Sequence, residues 1–407
     1  MHILFVTQYF PPEVGATQTR MLEFARACHR RGHQVTVLTE FPNHPHGRIA
    51  PEYRGRLVTR ERLEGFTVLR VWIRTRARKS FQDRLAFYGS FFALATARGL
   101  AVPRRVDVVF ATSPPLPVGL VGWVIARARG ARFILDVRDL WPAAVRALGQ
   151  VQRPAALRLA EALEQFLYRR ADRITAATRG FVRHIAPRAK EASRVVWLPN
   201  GASTDLFDPA RVDPTLRGRL GLEGRFVVTF AGLHGLAQGL DAVLEAASRL
   251  RDRPDVSFCL IGDGPVKEDL VARAARLGLS NVRFLPTVPV DEVAPYLTAS
   301  DALLVPLRRH PVFDTFVPSK LFDFLACARP VILLVDGEAR EILEASGGGI
   351  FSPPGDGDEL AKAVLTLLET PVEARRRMGE RGRVYVLAHY TRAAHAARLV
   401  ELIERDS

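Results

Sequence analysis

A chain of 407 residues, 48% of them apolar, is too long for one hydrophobic core and too apolar to be disordered, so two domains of roughly 200 residues each are expected. Its three cysteines, Cys28, Cys259 and Cys327, are too few and too scattered for a disulfide framework or a zinc cluster, and they suit a reducing compartment. The net charge of +15 is unevenly placed: residues 1–200 carry 33 Lys+Arg against 14 Asp+Glu, whereas residues 201–407 carry 25 against 29, so the first half is expected to meet an anionic partner.

The chain opens directly on a strand, MHILFVTQYF, with no basic leader before it, so no secretion signal is expected. Apolar, β-branched runs then alternate with helical patterns. In the first half the strands are expected at His2–Thr7, Gln34–Thr39, Thr67–Trp72, Asp107–Thr112, Arg132–Val137, Arg173–Ala177 and Arg194–Leu198. The run Val108–Ala126 lacks charge, but Pro114, Pro115 and Pro117 interrupt it, so it reads as strand, loop and helix rather than a membrane span. Periodicity stops between Pro199 and Leu222. Strands resume at Phe226–Ala231, Val256–Ile261, Val282–Leu285, Ala302–Val305 and Val331–Leu334, and Thr391–Arg405 closes the chain as an amphipathic helix. The pattern predicts an α/β protein with two doubly wound, Rossmann-like units, residues 1–200 and 201–385, and a terminal helix in 386–407 that crosses back onto the first unit. Such units bind ligands at the carboxyl ends of their strands, in a cleft between the two.

The loops that follow strands are therefore the candidates. In Gln8–Thr19, Gly15 leads into a helix whose N-terminus can face a ligand; no GxGxxG is present, which disfavours a dinucleotide oxidoreductase. In DVRDLWP, Asp139 ends a strand and can hydrogen-bond sugar hydroxyls or stabilise positive charge, while Trp141 either stacks on a sugar or fills core. A helix N-cap is the plainer reading of that segment. In FAGLHGLAQG, Gly232 and Gly235 let backbone approach a ligand, and His234 and Gln238 can donate to phosphate oxygens. In LIGDGP, Gly262 and Gly264 flank a turn before a helix that begins at Pro265. Finally, PSKLFDFLACARPVI places Ser319, Lys320, Leu321 and Asp323 in the first turn and a half of a helix. An N-terminus and a lysine suit phosphate, and a carboxylate suits vicinal hydroxyls such as those of ribose. The alternative there is a capped helix with a solvated lysine.

Taken in order, these segments resemble family 4 of the retaining glycosyltransferases, of GT-B fold, over nearly the whole chain. FPPEVGATQTRMLEFARACHRRGHQVTVLT looks like the family's opening strand, glycine loop and helix. LPNGASTDLF looks like its interdomain motif, IGDGP like its GxGP turn, and PSKLFDFLACARPVI like its nucleotide-binding helix. SPPLPVGL, VRDLWP and AGLHGLAQGL resemble, more narrowly, the bacterial surface-polysaccharide branch that includes the WbuB-like and colanic acid transferases. The resemblance implies transfer of a hexosyl or N-acetylhexosaminyl group, with retention, from a nucleotide diphospho-sugar, UDP-linked, held on the second domain. The acceptor, a lipid-linked glycan of cell-surface polysaccharide synthesis, would sit on the first domain. It implies no cofactor and no metal, and a leaving diphosphate stabilised by cations and helix N-termini. The site residues it implies are Asp139, Lys320 and His234 for catalysis, and Gly15, Gly232, Gly235, Gln238, Gly264, Ser319, Lys320, Leu321 and Asp323 for the donor.

Three features depart from the family. Its Glu-x7-Glu pair becomes Thr315 and Asp323, its phosphate-binding Arg and Lys become Leu233 and Gln238, and Asp139 is the candidate for its missing N-domain histidine. The uncharged stretch Leu85–Ala97 spans only ~20 Å as a helix, short of a ~30 Å bilayer core. Preceded by Arg74, Arg76, Arg78 and Lys79, it reads either as an interfacial helix on an anionic membrane or as a core helix packed on the sheet. The expected location is accordingly cytoplasmic, peripheral at the inner face of the plasma membrane. Competing functions are a nucleotide-sugar 2-epimerase of the same fold, a catalytically dead glycan-binding relative, and a basic binding protein. Nucleic acid is not an expected partner, because the arginines are scattered and no binding module is present.

Overall fold

The computed structural model describes all of the chain except Val14 and residues 44–46, 77–80, 150–152 and 406–407. Two compact units emerge: Met1–Pro199 with Arg392–Ser407, and Asn200–Thr391.

The first unit is built on strands β1 (His2–Val6), β2 (Gln34–Glu40), β3 (Val58–Leu63), β4 (Phe66–Val71), β5 (Val108–Ser113), β6 (Arg132–Val137), β7 (Arg173–Ala176) and β8 (Val195–Trp197). They form one sheet in the order β3-β4-β2-β1-β5-β6-β7-β8, parallel throughout except for the β3–β4 hairpin. The reversal on either side of β1 is the signature of a doubly wound sheet. Strands buried on both faces read as continuous apolar runs, which is why β1, β5 and β6 were conspicuous in sequence. The hairpin strand β3 was not foreseen. It is an edge strand whose residues alternate between exposed and half-buried, so it lacks an apolar run.

The second unit carries β9 (Phe226–Ala231), β10 (Val256–Ile261), β11 (Val282–Leu285), β12 (Ala302–Pro306), β13 (Val331–Leu334) and β14 (Gly349–Phe351), in the order β11-β10-β9-β12-β13-β14. All described pairings are parallel. Its core gathers Phe230, Phe258, Leu304, Ile332 and Leu334 from the sheet with Leu244, Leu360 and Val364 from helices.

The terminal helix Arg392–Arg405 belongs to the first unit. Its buried stripe, Ala396, Leu399, Val400 and Ile403, shares a core with Ile3, Phe24 and Cys28, and Glu404 meets Arg31 at 3.1 Å. Helix Phe81–Leu100 presents Phe87, Phe91, Ala95 and Gly99 inward at four-residue spacing, while Leu85, Gly89, Ala93 and Ala97 stay exposed. One face is thus core and the opposite face is uncharged surface. Arg78 and Lys79, expected to reinforce that surface, lie outside the described residues. Among the described residues no helix is long and apolar enough to cross a membrane.

Candidate functional site

In the second unit β9 and β10 leave the sheet side by side, and their loops lock together by backbone hydrogen bonds. Gly232 N donates to Ile261 O at 3.0 Å, His234 N to Asp263 O at 2.8 Å, and Val266 N to His234 O at 3.2 Å. The approach is close enough to demand glycine: a Cβ on Gly262 would stand 2.1 Å from Gly232 O, and one on Gly264 would stand 2.4 Å from His234 O. The ammonium of Lys267 bonds Gly262 O at 2.6 Å and Leu285 O at 3.0 Å, tying the exits of β10 and β11.

Against these loops stands the helix Ser319–Ala326. Ser319 and Lys320 are half-buried at its start, and the rest of its length is buried. The Lys320 ammonium lies 3.9 Å from the centroid of the Phe230 ring, donates to Gln238 Oε1 at 3.2 Å, and would be 2.8 Å from a Cβ on Gly232. It has left water for an aromatic face and an amide oxygen, and this desolvation pulls its pKa down to about 7. Asp323 is 8% exposed, and its Oδ1 accepts a hydrogen bond from Ser203 N at 3.2 Å, so it also anchors the LPNGASTDLF segment.

Two expected residues sit differently. His234 was expected to donate to phosphate, but its ring is fully buried between Phe230 and Phe284, with centroids 5.7 and 6.4 Å away. Neither ring nitrogen finds a hydrogen-bond partner among the described residues, and burial, followed by Lys267 and Lys320, drives its pKa down to about 4. The imidazole is therefore neutral core, and only the His234 backbone serves the loop. Leu321 is likewise fully buried, and its N–H is spent on Pro318 O at 2.9 Å. Gly235 precedes the short turn Leu236–Gln238, and the exposed side chains of that loop are Leu233 and Leu236. Thr315 donates to Val312 O at 2.7 Å, closing its own turn. Beside it Asp314 carries a carboxyl raised by partial burial and then by the charge of Asp336.

In the first unit the same edge is organised by arginine. Arg20 bonds both oxygens of the fully buried Asp136, at 3.1 and 2.9 Å, and the carbonyls of Leu198 and Pro199 at 2.8 and 2.9 Å. Arg138 reaches Thr112 Oγ1 and Thr17 Oγ1 at 2.5 Å and Pro114 O at 2.7 Å, which joins the ends of β5 and β6 to the helix entered through Gly15. Burial lowers the Arg138 pKa to about 10. Asp139, next in sequence, has a buried Oδ1 without a hydrogen-bond partner among the described residues, and burial, opposed by Arg138, raises its pKa to about 6. Trp141 is half-buried at the start of helix Trp141–Ala147. Sequence reasoning did not single out Arg20, whose role depends on contacts 116 to 179 residues away along the chain. Among the described residues no cluster of three or more His, Cys, Asp or Glu side chains offers a metal site.

The chain resembles known proteins in sequence and in fold. Residues 15–201 match the family described as Glycosyl transferase 4-like domain, and residues 225–370 match Glycosyl transferases group 1. The chain is 29% identical over 349 residues to the colanic acid biosynthesis glycosyl transferase WcaI of Escherichia coli K12, covering 83% of this chain and 84% of that protein. Sucrose-phosphate synthase of Thermosynechococcus elongatus superposes with a TM-score of 0.79 at 16% identity, over 99% of this chain and 98% of that one. Anabaena HepE in complex with UDP-glucose superposes with a TM-score of 0.73 at 18% identity, over all of both chains. At such identities the two structures speak for the fold alone. The order of the motifs, the two doubly wound sheets and the two family matches together make this chain a member of family 4 of the glycosyltransferases, of GT-B fold, in the branch of the bacterial surface-polysaccharide transferases.

Proposed function

We propose that this glycosyltransferase works in surface-polysaccharide synthesis, moving a hexosyl or N-acetylhexosaminyl group with retention from a UDP-sugar to a lipid-linked glycan. The second unit holds the donor and the first the acceptor. One observation carries the reading: the Lys320 ammonium is desolvated at a helix N-terminus, against a glycine loop, beside an aromatic ring and an amide. A lysine kept that way gains most from a doubly charged ligand that restores its own charge. HepE with bound UDP-glucose and the colanic acid role in WcaI's name support the donor and pathway class.

In the proposed reaction the acceptor oxygen bonds the anomeric carbon on the face from which the diphosphate departs. The carbon–oxygen bond to diphosphate breaks with its electron pair, and the hydroxyl proton passes to the leaving phosphate oxygen. Protonated Lys320 stabilises the developing charge. Asp323 holds the ribose, and the Asp139 carboxyl serves the acceptor side. The exposed uncharged face of helix Phe81–Leu100, with the excess of basic residues in the first 200, supports a peripheral station on an anionic bilayer.

A thermal-shift panel with UDP-, GDP- and ADP-sugars tests the donor site. A UDP-sugar should raise the melting temperature, and Asp323→Ala should abolish the rise; wild-type protein unmoved by every nucleotide sugar would sink the reading. NMR of a UDP-sugar without acceptor should show no change at C2, since an isomerised sugar would make the protein an epimerase.

A further inference from the structure

The loop after β9 carries no cationic side chain among Leu233, Leu236 and Gln238, and the His234 ring is sealed in the core. A second cation arrives from elsewhere in the unit. Past Pro306, β12 runs straight into Leu307, Arg308, Arg309 and His310. This extension is clamped to the β9 loop: Arg308 N donates to Ala237 O at 2.9 Å. At Gly239, a Cβ would stand 3.0 Å from Arg308 N and 3.1 Å from the Leu307 carbonyl, so the two segments run in tight contact. Between Ala237 and Gly239 lies Gln238, whose Oε1 receives the Lys320 ammonium at 3.2 Å. Arg308 and Lys320 are therefore both anchored on the same three residues, one through its backbone and one through its charge. The Arg308 side chain is exposed, and among the described residues it has no carboxylate partner of the kind Arg217, Arg249 or Arg273 has. Arg309 differs: its Cβ lies 3.3 Å from where a Cβ of Gly355 would be, so it leans on a different loop.

We propose that Arg308 is the second diphosphate-binding cation of this chain, a guanidinium supplied from the end of β12 in place of the charge missing at Leu233 and Gln238. A planar fork on a diphosphate makes paired, charge-assisted hydrogen bonds, complementary to the single point charge of Lys320. The inference rests on the second unit being the donor site, and the test separates the two ideas.

Calorimetry on the full chain would compare UDP with UMP, after UDP, GDP and ADP have been compared on wild-type protein; if GDP or ADP binds more tightly, that diphosphate and its monophosphate are used. Arg308→Ala should weaken the diphosphate about tenfold or more and the monophosphate much less. Arg308→Lys should restore part of the loss, and Arg309→Ala should leave both affinities as in wild type. Wild-type protein that binds none of the diphosphates overturns the donor site and this assignment together. Wild-type binding with unchanged affinity in Arg308→Ala overturns the assignment alone. An equal loss in Arg309→Ala also overturns it, because the effect would then be the general field of the segment.

Discussion

Lys320 is the residue on which most depends, and its chemistry predicts a pH profile. Desolvation brings its pKa to about 7, so the free protein loses the ammonium as pH rises through neutrality. Binding a diphosphate above that pH must first return a proton. Between about pH 7.5 and 8.5, where the charge of a nucleoside diphosphate changes little, affinity should fall by up to about tenfold per pH unit until the pKa of the complex is reached. Calorimetry in buffers of different ionisation enthalpy should show proton uptake at pH 8, and Lys320→Arg should flatten the profile. A wild-type affinity independent of pH would mean that the ammonium is not desolvated as described. His234 illustrates what sequence alone conceals. A histidine between two glycines after a strand looks like a ligand donor, but the sheet decides which way the ring turns, and here it turns onto Phe230 and Phe284. Arg308 was hidden for the opposite reason: within an Arg-Arg-His run it resembles ordinary solvated surface, and only its backbone contact with Ala237 distinguishes it.

Among the elements, strands buried on both faces were the most legible. β6, β9, β10 and β13 run between the same residues as read from their apolar patterns, and so does the half-buried edge strand β11. β3 and the three-residue β14 escaped, the one because its alternation is carried by charges and the other because it is too short for any period. Helix Phe81–Leu100 had been open to two readings, core or interface; the core reading describes the face of Phe87, Phe91 and Ala95, and the opposite face is exposed and uncharged. The loop ends are harder to read, since they are held by contacts between segments distant in sequence. Arg20 is the clearest case: it joins helix Ala16–Arg30, the end of β6 and the exit of β8 through one buried guanidinium. Removing it would strand the Asp136 carboxylate, 0% exposed, with only Thr175 and Thr112 as described partners. Arg20→Ala should therefore destabilise the first unit by about 3–5 kcal/mol. Chemical denaturation followed by the far-ultraviolet signal would check this, and a loss below about 1 kcal/mol would show the pair to be dispensable.

On the scale of the whole molecule, the charge asymmetry between the halves becomes a statement about binding. If the first unit rests on an anionic bilayer, vesicles containing phosphatidylglycerol should carry the protein in a flotation gradient at low salt and release it as ionic strength rises. Neutral vesicles should carry much less. Leu85, 66% exposed on the outer face of helix Phe81–Leu100, can be replaced without disturbing the core. Leu85→Asp should reduce the floated fraction several-fold while leaving the melting temperature unchanged. Equal flotation of the variant would remove that face from the contact.

The edge strand β3 has a further consequence. A parallel sheet normally ends in a row of unpaired N–H and C=O groups that any passing strand can use. Here the terminal strand is antiparallel, and its outward positions past Val58 are Arg60 and Arg62. Two like charges along that border repel an identical border on another copy, so the sheet is discouraged from growing by self-association.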